Sequence, residues 1–152
     1  MAEFLAGLGK NTILMSTITA WFTAQILKTI TSFLRKGSFT AERLVGAGGM
    51  PSSHTALVVS LAVGIALREG LDSDLFALAV VLAGIVMYDA AGVRRAAGKQ
   101  AKVLNKLVRE MRVEHKVKDT RLKELLGHTP IEVLGGAVHG TLIAYLFYIF
   151  YR

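Results

Sequence analysis

The sequence predicts an all-α fold, a polytopic membrane bundle of about four transmembrane helices with an amphipathic basic helix between the third and fourth. Three observations lead there. Hydrophobic residues make up 53% of the 152-residue chain. Its mean hydropathy of +0.48 is too apolar for most soluble domains of this length. The formal net charge of +7 is gathered between apolar runs rather than spread along them, the pattern of a membrane protein with basic loops. The length fits a single domain, 1–152. With no cysteine, neither a disulfide framework nor a thiolate metal site enters the reading.

The first span runs near 13–34. It is long enough for a bilayer core, which takes roughly 20 residues, and it carries Gln25 and Lys28 as polar intrusions. Glu3 precedes any basic residue, unlike a signal peptide, so this segment is expected to stay as a span. Lys28 and Arg35 stand seven residues apart, two helical turns, and share a face. Either they snorkel to the headgroups or they clamp an anion, because cations within a membrane are costly.

A glycine-rich loop then leads to Met50-Pro51-Ser52-Ser53-His54-Thr55. Glycines can turn main-chain N–H groups toward a ligand, and the hydroxyls of Ser52 and Ser53 can cap a helix. The start of that helix favours an anion and holds an imidazole. The second span, near 54–69, is short and stops at Gly70; Asp72-Ser73-Asp74 supplies a turn and an N-cap. The third span, near 75–91, is uncharged until Asp89, for which Arg94 and Arg95 are candidate partners.

The segment 92–127 holds eleven cations, with Val93, Ala97, Leu104, Leu107, Val108 and Met111 near helical spacing. It reads as a helix lying on an anionic leaflet. The stretch has no aromatic residue, so no nucleic acid is expected as a partner. In the fourth span, near 131–151, Thr129 and Glu132 have capping-box spacing around Pro130. His128 falls just outside. Gly136 and Gly140 are spaced for close helix packing, and His139 between them should hydrogen-bond within the bundle.

Four spans put both termini on one face, with Lys10, Arg68 and Arg152. The other face holds Arg35, Lys36, Arg43 and the eleven cations of 92–127. The positive-inside rule places the basic loops in the cytoplasm and the termini outside a cell membrane. Expected partners are membrane lipids, anionic or phosphorylated. So thin a bundle also suggests a homodimer.

This threading brings Lys28, Arg35, His54, Asp89, Arg94, Arg95 and His128 to one interface. Cations and helix N-termini neutralise the non-bridging oxygens of a phosphate ester. One imidazole can attack phosphorus while a second protonates the leaving oxygen. No carboxylate cluster is placed to hold magnesium or zinc, so neither metal nor other cofactor is expected.

The chain resembles the divergent, short branch of the type 2 phosphatidic acid phosphatases, which are related to acid phosphatases and vanadium-dependent haloperoxidases. Lys28 and Arg35 match the superfamily's Lys and Arg-Pro signature, with Lys36 in place of proline. Pro51-Ser52-Ser53-His54 matches Pro-Ser-Gly-His, with Ser53 in place of glycine. His128 and Glu132 match its final His and Asp, with Glu for Asp. The Ser-Arg pair expected before that histidine is absent; the order of helices points to Arg94 or Arg95 instead. The run 88–100 also looks like a hallmark of the short branch, and the resemblance covers most of the chain from Lys28 onward.

The resemblance implies that His128 is the nucleophile, Glu132 orients it, and His54 is the acid and then the base. Lys28, Arg35, Ser53 and one of Arg94 or Arg95 would bind the phosphate, with Asp89 in support. The implied activity is metal-independent hydrolysis of a lipid phosphate monoester or diphosphate through a phosphohistidine. The substitutions at Lys36, Ser53 and Glu132 support an alternative, a membrane protein that binds phosphate, anionic headgroups or a partner without turnover.

Overall fold

The computed structural model describes residues 7–36, 49–112, 122 and 127–151. Among the described residues five helices carry the fold: α1 (Thr12–Lys36), α2 (Ser53–Glu69), α3 (Asp74–Ala91), α4 (Val93–Arg112) and α5 (Pro130–Phe150). No strand occurs among the described residues, and the all-α membrane bundle read from the sequence is the one found.

Among the described residues three stretches are long and apolar enough to cross a membrane: Thr12–Leu34, Asp74–Glu110, which runs from α3 into α4, and Pro130–Phe150. The remaining helix of the bundle, α2, has 17 residues, so at ~1.5 Å per residue it is about 26 Å long, just short of a ~30 Å hydrocarbon core. It occupies the middle, packed against α1, α3 and α5. Its buried positions are small: Ala56, Val58, Ser60, Ala62 and Gly64. Small residues let helix backbones approach closely where no water drives them together.

The α2–α5 contact is the tightest. A Cβ at Gly140 would run into the Ala56 carbonyl oxygen, and one at Gly136 into that of Ser52. Because both helices present their N-terminal turns to each other, α2 and α5 run parallel. The C-terminal half of α1 and the end of α3 join them at the same end, through Thr31 Oγ1 to the Met50 carbonyl (2.6 Å) and the His128 N–H to the Ala90 carbonyl (2.8 Å).

Helix ends follow the expected chemistry. Ser52 caps α2 and Ser73 caps α3, each accepting from a main-chain N–H in the first turn. Gly70, at φ +91°, ends α2. Thr129 and Glu132 form a reciprocal capping box around Pro130. Within α1, Ser16 and Thr17 donate to the Ile13 carbonyl and Thr29 to that of Gln25, so hydroxyls at membrane depth are satisfied by their own helix. His139 Nε2 lies 2.8 Å from Thr23 Oγ1, the bundle hydrogen bond expected of it.

The basic amphipathic helix is α4. Gly98 and Ala101 are buried while its lysines are exposed. The side-chain amide of Asn105 pairs with both main-chain groups of Leu122, which ties the chain after α4 back onto it. The remainder of 113–126, expected to continue the basic segment, lies outside the described residues.

Candidate functional site

The candidate site is built where α1, α2, α3 and α5 meet. Its centre is His128, 2% exposed, whose Nδ1 lies 3.2 Å from Glu132 Oε2. The same carboxylate oxygen accepts the Thr129 N–H at 2.9 Å. The capping box that starts α5 is therefore also the device that holds the imidazole. In a neutral ring with Nδ1–H donating to Glu132, Nε2 keeps its lone pair.

Burial is the largest influence on His128 and pushes its pKa below the usual 6.5. The charge of Glu132 and its hydrogen bond pull the other way, while the nearby Lys28 ammonium pushes down again. Hydrogen bonding to the main chain of Gly49 gives a weaker upward pull. The net direction favours neutral imidazole at pH 7, the form with a nucleophilic nitrogen.

The second histidine faces the first. The rings of His54 and His128 are 6.4 Å apart between centroids and inclined at 61°. His54 reaches this position because it lies in the first turn of α2, whose entry is fixed from two sides. The Ser52 N–H donates to the Glu132 carbonyl (2.9 Å), and Thr31 holds the Met50 carbonyl. Ser52 is 0% and Ser53 1% exposed.

Lys28 supplies the cation and is 3% exposed. Its aliphatic stem crosses Gly49, where a Cβ would stand 2.8 Å from Lys28 Cγ. Gly49 also has φ +101°, a conformation that L side chains rarely adopt. Space and backbone conformation thus both require glycine at this one position of the loop.

Two parallel helices aim their N-termini at this point, beside a buried lysine and two imidazoles. An anion is the natural occupant of such a place. The profile of the family described as divergent PAP2 matches residues 9–143.

The chain belongs to the divergent PAP2 family.

An uncharacterized membrane protein of Bacillus subtilis (strain 168), YuiD, is similar to it, with 43% identity over 144 residues, 88% of this chain and 91% of that protein. No solved structure matches. This is accordingly a membrane protein of the divergent PAP2 family.

Within this divergent PAP2 chain the structure brings together Lys28, His54, His128 and Glu132, with Ser53 buried next to His54 at the start of α2. Asp89 is half-buried one residue before Ala90, whose carbonyl meets His128. Arg95 is exposed in the first turn of α4. The phosphate-binding expectations at Arg35 and Arg94 concern side chains outside the described residues. Sequence reasoning missed Thr31 and the Ala90 carbonyl, and had Gly49 only as one glycine of its loop. Thr31 had a usable signal, three residues beyond Lys28 on the same helical face; a main-chain carbonyl has none.

Proposed function

We propose that this protein hydrolyses a lipid phosphate monoester or diphosphate at the membrane interface. The observation that carries the reading is a buried His128, anchored by Glu132 and facing His54 across 6.4 Å, where two helix N-termini and Lys28 converge.

In the proposed reaction Nε2 of His128 attacks phosphorus with its lone pair. The bond from phosphorus to the leaving oxygen breaks as protonated His54 gives that oxygen a proton. Lys28 and the N–H groups at the start of α2 neutralise the non-bridging oxygens, with Arg35 and one of Arg94 or Arg95 completing the set. Glu132 stabilises the charge on the phosphorylated imidazole. Neutral His54 then takes a proton from water, the water oxygen bonds to phosphorus, and the P–N bond breaks to return the electron pair to Nε2. Inorganic phosphate leaves.

Purified protein in detergent containing a chelator should release phosphate from phosphatidate or a polyprenyl diphosphate, and His128→Ala should abolish release. A His128→Ala protein as active as wild type would sink the mechanism.

One observation favours a second reading. His128, Ser52 and Ser53 are almost fully covered, as in a closed site that holds a headgroup or phosphate without turnover. Vanadate or tungstate retained by the wild type, with no phosphate released from any lipid, is the outcome that selects it. For topology we propose a cell membrane with cytoplasmic basic loops and external termini. A cysteine placed in 113–126 should then be protected from an impermeant thiol reagent in intact cells.

A further inference from the structure

We infer that the protein carries a second ligand site, for an anionic phospholipid, at the end of the bundle opposite His128. A cleft of about 210 Å³ opens there between the start of α1 and the ends of α2 and α5. From Ser53 to Arg68 is fifteen residues of α2, or about 22 Å along its axis. The two sites therefore face opposite membrane surfaces, and neither shares a side chain with the other.

The lining is amphipathic in the manner of a lipid. Arg68 lies at the mouth, exposed, with one guanidinium nitrogen donating to Thr12 Oγ1 at 2.6 Å. A guanidinium has five N–H donors in a planar fork that matches a phosphate, so donors remain after Thr12 is served. Ile13 supplies an apolar wall at the start of α1. Phe147 and Tyr151, stacked with centroids 5.1 Å apart, form the wall from α5. At a helix end, the guanidinium meets the headgroup level and the aromatic wall the first part of an acyl chain.

Gly64 lines the buried floor of the cleft. A Cβ there would meet Ile13 Cγ2 at 3.4 Å and Ser16 Oγ at 3.8 Å, ordinary contacts. The glycine thus lets α1 side chains pack onto α2 beneath Arg68, and a methyl fits there where a longer side chain would fill the cleft.

The test titrates the full chain in detergent with phosphatidylglycerol, and separately with phosphatidylcholine of the same acyl chains, reading bound lipid by native mass spectrometry. Phosphatidylglycerol should bind preferentially. Arg68→Gln should weaken it about tenfold, the loss of a charged hydrogen-bond partner. Gly64→Leu should block both lipids, and Gly64→Ala, which the packing accepts, should weaken both less. Thr12→Val removes the hydrogen bond to Arg68 but leaves the charge, and should retain the preference. Equal binding by wild type and Arg68→Gln overturns the proposal. So does displacement of the lipid by inorganic phosphate, which would make this a site for the free ion.

Discussion

Adjacent glycines in α5 offer a sharp test of the packing that sets the two histidine rings 6.4 Å apart. At Gly136 an added Cβ would stand 2.9 Å from Thr55 Cβ and closer still to the Ser52 carbonyl oxygen. Both obstacles belong to the first turn of α2 and cannot rotate away, so the helices must part by about an ångström. Overpacking of this kind costs about 1–3 kcal/mol, and the better helix propensity of alanine returns about 1 kcal/mol. With main chain as the obstacle, Gly136→Ala should lose about 1–2 kcal/mol net, or about 2–8 °C in Tm at ~2–4 °C per kcal/mol. At Gly135 the same methyl meets Met50 Cε at 3.1 Å, with Cγ at 3.7 Å. That is a flexible side chain that can swing aside, so Gly135→Ala should hold or raise Tm. The assay is thermal unfolding of the three proteins in one detergent. A Gly135→Ala loss as large as that of Gly136→Ala would refute the parallel α2–α5 contact as the determinant. Whatever readout the site proves to have, phosphate release or vanadate binding, should fall in Gly136→Ala and persist in Gly135→Ala.

Other outcomes follow from the site. Glu132→Gln removes the carboxylate charge that raises the pKa of His128 and leaves only a neutral acceptor, so the imidazole should titrate at lower pH than in wild type, read by NMR of labelled histidine. Because the folded pKa of His128 lies below 6.5, the unfolded chain binds the extra proton first. Its contribution to stability should be complete above about pH 6.5 and fall as the pH drops through the folded value. A His128→Asn protein should lose that part of the acid sensitivity of Tm. Lys28→Met keeps the stem over Gly49 and deletes the charge, so vanadate binding should weaken about tenfold or more. Thr129→Ala breaks the capping box and should cost about 0.5–2 kcal/mol.

Local chemistry was the part of this fold that sequence could express. Thr129, Pro130 and Glu132 sit where the capping box needs them, and Ser73 and Gly70 punctuate their helices, because each signal lies within a few residues of its effect. Lys28, His54 and His128 were readable as one set through the alternation of spans. The central place of α2 was not, since a 17-residue apolar helix reads the same whether lipid or three helices surround it. Nor could Gly49 be told from the other glycines of its loop without Lys28 lying across it. The main-chain bonds from Ser52 to Glu132 and from His128 to Ala90 fix the site most directly, and a peptide group carries no residue-specific mark.

The parallel course of α2 and α5 has an electrostatic consequence. Each N-terminus carries roughly half a positive charge. Two of them side by side at ~8 Å repel by about 0.5 kcal/mol at an effective dielectric constant near 20. Lys28 adds to that field, and Glu132, at the third position of α5, offsets it from within. The bundle is thus a spring held slightly compressed, and an arriving anion relaxes it. Occupancy and folding stability are then linked quantities. A phosphate-like ligand should tighten the whole membrane domain, and Glu132 should set how much of that tightening is left for the ligand to supply.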